Sequence, residues 1–294
     1  MLPFAFNTIK QRVPHLWTIF TDNLLAEQDF TSEINRHHIP VNIDERIYYC
    51  FCVSLFHNPA PGFDLFTRLG GWTGSHRVRN MKKIVSEMLI DRIGIDSHRL
   101  DLITKLNTAC DEISNRLKAY HGIVSITSQE HLAGWNTNES FEDVFVRLSS
   151  HRIFHSRIKR YDFLEVLAKH NNFYLTPSLM HTPGSTGPIR GLAMVLLGTH
   201  LGYPTADDGH ILTAQQINLT EWNANTNAAY HLNSLQSEKQ KIYIIEKWLI
   251  AEAQTQFVAD INNPEFNFAL ESTLCNFQKE DFFHSRQYPN LYQE

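Results

Sequence analysis

Two short stretches in the second half of the chain combine residue types that could hold a phosphate group and act on the molecule that carries it. The first is Pro183-Gly-Ser-Thr-Gly187, a glycine-rich turn that leads into an apolar run. Glycines let the backbone approach a ligand closely, and the amides at a helix start face outward, which suits phosphate. The second is the acidic pair Asp207 and Asp208, about one helix further along the chain. The pattern predicts a grip on a nucleic-acid backbone, with a carboxylate near the sugar.

Positively charged residues are concentrated shortly before this turn. The densest run is 147–160, and it ends in Arg157, Lys159 and Arg160. Helical spacing puts several of these side chains on one face, where phosphate contacts are one interpretation and a solvated helix face is the other. Arg190, just after the turn, is a further candidate for phosphate binding.

Helices are expected to position all of these residues, because apolar side chains recur at three- and four-residue spacing along most of the chain. Only the pieces near Ile123–Ile126 and Phe173–Leu175 could form strands. The Asn- and Thr-rich segment 217–235 is interpreted either as a loop that lines a cleft or as a surface linker. Helices are predicted at 12–28, 43–57, 77–92, 98–121, 141–154, 160–170, 188–201, 236–259 and 265–279.

The predicted fold is therefore all-α. We expect two helical lobes around a cleft, the first comprising residues 1–135 and the second residues 136–294, or a single integrated domain built from both. A chain of 294 residues has ample material for either arrangement.

The overall composition is that of an ordinary globular protein. Hydrophobic residues make up 43% of the chain, charged residues make up 19%, and the formal net charge is −5. This balance argues against a protein that coats nucleic acid without specificity, since such proteins are basic as a whole. A local basic groove on an acidic body remains compatible with it.

Cysteine usage and hydropathy indicate a cytoplasmic protein with no membrane partner. The four cysteines form no CxxC pair, so we expect reduced thiols. The first residues lack the charged and apolar regions of a signal peptide, and no apolar stretch reaches the about 20 residues that cross a bilayer.

The 16 histidines raise the question of a metal site. The pairs His37-His38 and His151/His155, and the single His181, lack enough carboxylates at helical spacing to complete a ligand set. Neither a metal ion nor another cofactor is expected.

The glycine-rich turn and the acidic pair together resemble the helix–hairpin–helix DNA glycosylases. In that superfamily a hairpin of the form Pro-Gly-x-Gly-x-x-x-Ala is followed, one helix later, by Pro-x-Asp-x-His or a close variant. The match makes Gly184 and Gly187 the hairpin glycines, with Ser185 and Thr186 between them, one residue more than the family pattern. The run Tyr161–His170 would be the first helix of the motif.

The same match implies roles for four further residues. Gly191 would be the small residue that lets the second helix pack closely, and Asp208 would be the catalytic carboxylate, with His210 nearby as a possible substrate contact. Ile189 stands where bifunctional members carry a Schiff-base lysine, which implies a monofunctional enzyme. Asp207 could instead cap the following helix or share the catalytic role.

A second resemblance covers more of the C-terminal half. Arg160-Tyr-Asp-Phe-Leu, the Ser-Thr-Gly-Pro-Ile-Arg-Gly run and Leu274-Cys-Asn-Phe-Gln-Lys279 are similar to the α-glutamyl/putrescinyl-thymine pyrophosphorylase grouping. That grouping is linked to phage base hypermodification, and bacterial relatives in it include anti-phage glycosylases that excise glucosylated hydroxymethylcytosine. The resemblance makes Asp162 a possible substrate contact, although a helix cap or salt bridge would also explain an acid there.

Both resemblances imply an enzyme that acts on an unusual base in double-stranded DNA. The first hypothesis is a DNA glycosylase that flips and excises a bulky modified pyrimidine from phage DNA and leaves an abasic site. The alternative is a transferase that joins an amino acid or polyamine to pyrophosphorylated hydroxymethyluracil in DNA, with Arg157, Lys159, Arg160 and Arg190 as the pyrophosphate-binding cluster. A third hypothesis is a helical DNA-binding protein without catalytic activity.

Overall fold

All regular secondary structure in the described part of the chain is helical. A computed structural model describes residues 6–76, 78–93, 100–135, 139–170, 175–197, 217–257 and 264–286. Within these ranges the chain forms thirteen α-helices and two short 3-10 helices and contains no strand. The all-α prediction is confirmed.

The chain folds into two compact units. One unit combines the residues up to 28 with those from 177 onward, and the other is the continuous segment 29–176. These limits differ from the boundary at 135/136 taken from the sequence, because the beginning of the first helix shares a hydrophobic core with the C-terminal helices. Proximity along the sequence does not reveal such a long-range association.

The discontinuous unit is built around a few long, apolar helices. It comprises the first part of α1 (Phe6–Arg36), α10 (Gly187–Leu197), α11 (Leu219–Asn225), α12 (Glu238–Phe257) and α13 (Pro264–Arg286). Helix α10 packs along α13, and the residues of α10 from Pro188 to Leu197 are all buried. Arg12 of α1 donates hydrogen bonds to the carbonyls of Val195 and Leu196, near the end of α10. A cation at this end also offsets the negative pole of the helix dipole.

The continuous unit surrounds a central buried helix. Its helices are the end of α1, α2 (Ile43–Ser54), α3 (Pro59–Arg68), α4 (Gly71–Ser75), α5 (Met81–Ile93), α6 (Leu100–Val124), α7 (Gln129–Ala133), α8 (Phe141–Leu148) and α9 (Arg157–Lys169). Helix α2 is buried continuously from Ile47 to Ser54 and packs against α3, α4, α7 and α9. Side-chain caps fix several helix starts, among them Asn42 for α2 and Ser156 for α9.

Two local expectations from the sequence are corrected. The proposed strand at Ile123–Ile126 is wrong, because α6 continues to Val124 and a turn follows. The segment 217–235 is not merely a loop or linker: it contains α11 and a 3-10 helix at Ala228–Tyr230, and the side chain of Trp222 is completely buried in the core. The sequence pattern does not predict this helix, because a single buried aromatic residue anchors it and most of its other residues are polar.

The other proposed strand, Phe173–Leu175, lies mostly outside the described residues. Among the residues that the structure describes, no helix combines the length and the apolar character needed to cross a bilayer.

Candidate functional site

A tight turn lies at the position of the predicted hairpin, and its tip is exposed. The predicted first helix of the motif, Tyr161–His170, falls in the other compact unit, so the helix–hairpin–helix motif itself stays a prediction. Gly184 adopts φ +83°, in the left-handed region that favours glycine, and a Cβ there would meet nothing within 4 Å. The Ser185 amide donates to the Thr182 carbonyl at 2.9 Å, which closes the turn, and α10 begins at Gly187. Gly184 and Thr186 are exposed, whereas Ser185 and Gly187 are half-buried. The turn therefore offers backbone to a ligand directly before a helix N-terminus.

A buried carboxylate holds the stretch of chain that leads into this hairpin. Glu246 of α12 is fully buried and accepts hydrogen bonds from the amides of Met180, His181 and Thr182 at 2.9, 3.1 and 2.9 Å. The Thr182 hydroxyl donates to the same side chain. His181 has φ +52°, a conformation uncommon outside glycine, which these bonds help to maintain.

Sequence reasoning missed Glu246. A usable signal existed, since Glu246 falls among Ile242, Ile245 and Leu249, at the three- and four-residue spacing of the buried face of α12. A single acid on an otherwise apolar face indicates a buried carboxylate that requires hydrogen-bond donors.

Close helix packing explains two glycines of the motif. A Cβ on Gly191 would lie within 1.9 Å of the Leu274 carbonyl oxygen, and one on Gly187 would lie 2.5 Å from Cys275 Sγ. The expectation that Gly191 permits close packing is confirmed, and the partner helix is α13. The segments Ser185–Gly191 and Leu274–Lys279, which carry the family resemblance in the sequence, meet along this contact.

The two residues after Pro188 face the interior. Ile189 is 5% exposed and Arg190 is 8% exposed. Ile189 therefore packs in the core at the position where bifunctional members of the resembled superfamily carry a lysine. Arg190 presents little surface to a ligand, so that its predicted contact with phosphate would require the side chain to leave its buried position.

The basic residues of α9 are engaged within their own unit. The guanidinium of Arg157 lies 4.1 Å from the centroid of the Tyr161 ring and is buried. Arg160 donates to the carbonyls of Phe154 and His155 and lies over the Phe145 ring. Lys159 pairs with Glu112 at 3.2 Å. These contacts match neither a fully solvated face nor a set of uncommitted cations, and the predicted DNA contacts of Arg157, Lys159 and Arg160 stay predictions.

Asp162 belongs to a cluster that the sequence did not indicate. His57 Nδ1 lies 3.8 Å from Asp162 Oδ1, and His57 Nε2 lies 3.9 Å from Glu165 Oε2. One potential ligand atom from each side chain falls within 4.8 Å of the others, and this is the one group of its kind among the described residues. The histidines considered from the sequence are not part of it. The i,i+3 spacing of Asp162 and Glu165 was visible, but His57 comes from a loop more than 100 residues earlier.

A second group of titratable residues in the same unit is aromatic in character. Trp72 stacks on His121 with ring centroids 4.9 Å apart, and His76 lies 4.8 Å from His121. Burial, together with the neighbouring His76, lowers the pKa of His121 to about 4. Burial raises the pKa of Tyr48, whose hydroxyl lies 3.5 Å from His121 Nε2. The neutral imidazole is therefore the form that this packing accommodates.

The predicted catalytic residues cannot be compared with this geometry. Asp207, Asp208 and His210 lie outside the described residues, so their roles stay predictions. Comparisons with protein-family models, with curated proteins and with solved structures return no match to this chain.

Proposed function

We propose that the protein is a monofunctional DNA glycosylase that excises a bulky modified pyrimidine, such as glucosylated hydroxymethylcytosine, from double-stranded DNA. The observation that carries the proposal is the exposed Gly184 turn, anchored through Glu246 and continuous with the N-terminus of α10. In the family that the sequence resembles, this element grips the DNA backbone. The resemblance also favours a role in defence against phages whose DNA carries such bases.

The hairpin supplies the binding step of this mechanism. The first amides of an α-helix have no partner within the helix. Pro188 has no amide hydrogen, so the groups of this kind at the start of α10 are the N–H groups of Gly187 and Ile189. Such groups attract a phosphate, and the helix dipole adds to the attraction. Holding the backbone on either side of the target nucleotide offsets part of the cost of flipping the base, which is roughly a few kcal/mol.

Asp208 performs the chemical step in this proposal. Departure of the base leaves positive charge on the sugar, and a fixed carboxylate stabilises this charge. Water then attacks the sugar carbon that carried the base, and the charge is lost. The bond to the base breaks with its electron pair leaving on the base, and a bond to the water oxygen forms. The proton that the water loses is balanced by the proton that the departing base takes up, and the product is an abasic site with an intact strand. Strand cleavage would require an amine in place of Ile189.

The transferase hypothesis receives less support. It requires a cluster of cations for pyrophosphate, for which Arg157, Lys159, Arg160 and Arg190 are the candidates. Arg157 and Arg190 are buried, Arg160 binds backbone carbonyls, and Lys159 pairs with Glu112. Pyrophosphate binding would have to replace these contacts.

The decisive experiment incubates the purified protein with DNA from phages that do and do not carry modified pyrimidines, and measures released bases by mass spectrometry. We expect release of the free modified base and strand breaks only after treatment with hot alkali. Asp208→Asn keeps the side-chain shape but removes the charge, so it should retain DNA binding and lose base release.

Asp207→Asn serves as the matched control for this substitution. If Asp207→Asn is inactive and Asp208→Asn is active, the catalytic assignment is displaced by one residue. If both variants release base normally, the mechanism is wrong. A new amine adduct on the DNA instead of a free base would establish the transferase, and binding without either product would leave a DNA-binding protein.

A further inference from the structure

The cluster of His57, Asp162 and Glu165 has the composition of a metal-binding site. It joins one imidazole with two carboxylates, and its members come from the loop between α2 and α3 and from two successive positions on one face of α9. Imidazole suits ions such as Zn²⁺, Ni²⁺ and Fe²⁺, whereas carboxylates suit harder ions such as Mn²⁺ and Mg²⁺. A mixed set of this kind is suited to a divalent ion between these extremes.

The separations are close to those that a single ion requires. Two ligand atoms that each lie about 2.2 Å from one ion can be at most about 4.4 Å apart. His57 Nδ1 lies 3.8 Å from Asp162 and His57 Nε2 lies 3.9 Å from Glu165. One ligand atom from each of the three side chains falls within 4.8 Å of the others, slightly beyond this limit. Binding one ion therefore requires the His57 ring, whose side chain is 48% exposed, to turn so that one nitrogen approaches both carboxylates.

Neighbouring groups hold two of the ligands in place. Lys169 is completely buried and donates to Glu165 Oε1 at 2.5 Å, which leaves Oε2 directed toward His57. Phe30 stacks on the His57 ring at 5.2 Å and also lies 4.6 Å from the Lys169 ammonium. Partners of this kind, which orient ligands without touching the ion, are typical of metal sites.

Arg116 of α6, near Asp162, carries buried donors that a further polar group could satisfy. Arg116 lies close enough to Glu112 and Asp162 to interact with both of their charges. Its Nε and Nη2 atoms are buried and have no hydrogen-bond partner among the described residues. Buried donors require an acceptor. Three protein ligands leave coordination positions for a hydroxide or an anion, and such a ligand can accept from Arg116.

We infer that His57, Asp162 and Glu165 bind one divalent transition-metal ion of the Mn²⁺ to Zn²⁺ class. Asp162 and Glu165 supply two carboxylate ligands, the neutral imidazole is the third ligand, and solvent or an anionic ligand occupies the remaining positions and offsets the charge that Lys169 adds. The inference goes beyond the proposed base excision and is independent of it, since the ligands lie in a unit other than that of the hairpin.

Mn²⁺ is the appropriate probe because it is paramagnetic and binds exposed histidines only weakly. We expect the full-length protein to bind about one Mn²⁺ in an electron paramagnetic resonance titration without DNA. Pulsed measurements should reveal coupling to one imidazole ¹⁴N. Asp162→Asn and His57→Asn should each weaken binding about tenfold or more, on the scale observed when groups supporting a metal are lost. Asn tolerates the left-handed backbone of His57, where φ is 47°.

The same substitution at the exposed His38 is the matched control and should leave binding unchanged. Circular dichroism checks that the variants are folded. The inference is overturned if wild-type protein binds no stoichiometric Mn²⁺, if His57→Asn retains the ¹⁴N coupling, or if both site variants bind as tightly as the His38 control. In those cases the cluster is an ion-pair network. A variant that loses Mn²⁺ binding and still releases base would show that the metal site is not needed for base release. A variant that binds Mn²⁺ and releases no base would show that metal binding does not depend on the proposed function.

Discussion

Replacing Gly191 with alanine should destabilise the α10–α13 pair severely for a change of one methyl group. The added Cβ would lie 1.9 Å from the Leu274 carbonyl oxygen, 2.5 Å from its carbonyl carbon and 2.9 Å from its Cα, whereas an ordinary Cβ contact begins at 3.4 Å. All three atoms belong to the backbone, so that no rotation of a side chain relieves the overlap. The helices would have to separate by roughly 1.5 Å along a fully buried interface, and overpacking of this kind costs about 1–3 kcal/mol or more.

Two other glycines calibrate the effect. Gly187→Ala would bring a Cβ to 2.5 Å from Cys275 Sγ, a side-chain atom that can move, so its cost should be smaller. Gly122→Ala on α6 meets nothing within 4 Å and should be neutral or stabilising by about 0.5–1 kcal/mol, since alanine is the better helix former.

Urea and thermal unfolding, followed by circular dichroism and by tryptophan fluorescence, measure the three variants. The expected order of stability is Gly122→Ala first, Gly187→Ala second and Gly191→Ala last. A Gly191→Ala midpoint within error of wild type would refute the close approach of α10 to α13. Because the chain has two compact units, unfolding can proceed in two transitions. In that case the midpoint of each transition is compared separately between variant and wild type.

Two further perturbations test the buried polar groups. Glu246→Gln removes the negative charge from a side chain that accepts hydrogen bonds from three amides and a hydroxyl. It should destabilise the protein by about 2–4 kcal/mol and make the chain near Thr182 accessible to proteolysis. Glu252→Gln, on the exposed face of α12, should have neither effect. Equal behaviour of the two variants would contradict the anchoring role. His121 binds a proton more readily in the unfolded chain than in the folded protein, because its pKa in the folded protein is about 4. Its contribution to the free energy of unfolding is therefore intact above about pH 6.5 and declines as the pH falls toward about 4. His121→Gln should flatten this part of the urea-midpoint profile, and an unchanged profile would mean that other groups cause the decline.

The sequence by itself predicted the helical class and most helix positions, because burial of one helix face imposes a spacing of three and four residues that is legible without coordinates. It also predicted the turn at Gly184 and the packing role of Gly191, since left-handed backbone and close helix approach both exclude a side chain. These features depend on neighbours in the chain or on the lack of a Cβ. The helix at Leu219–Asn225 escaped prediction because its single anchor, Trp222, is surrounded by polar residues.

Tertiary structure alone decided which distant residues meet. Glu246 reaches the hairpin across more than 60 residues, and His57 reaches Asp162 across more than 100. It also decided that the cations of α9 make contacts within their own unit. The sequence shows that a side chain is charged, but it does not show whether that side chain will contact an aromatic ring, a carbonyl or solvent. Helical periodicity fixes the face on which a residue lies, but the partner on that face is determined by how the helices pack.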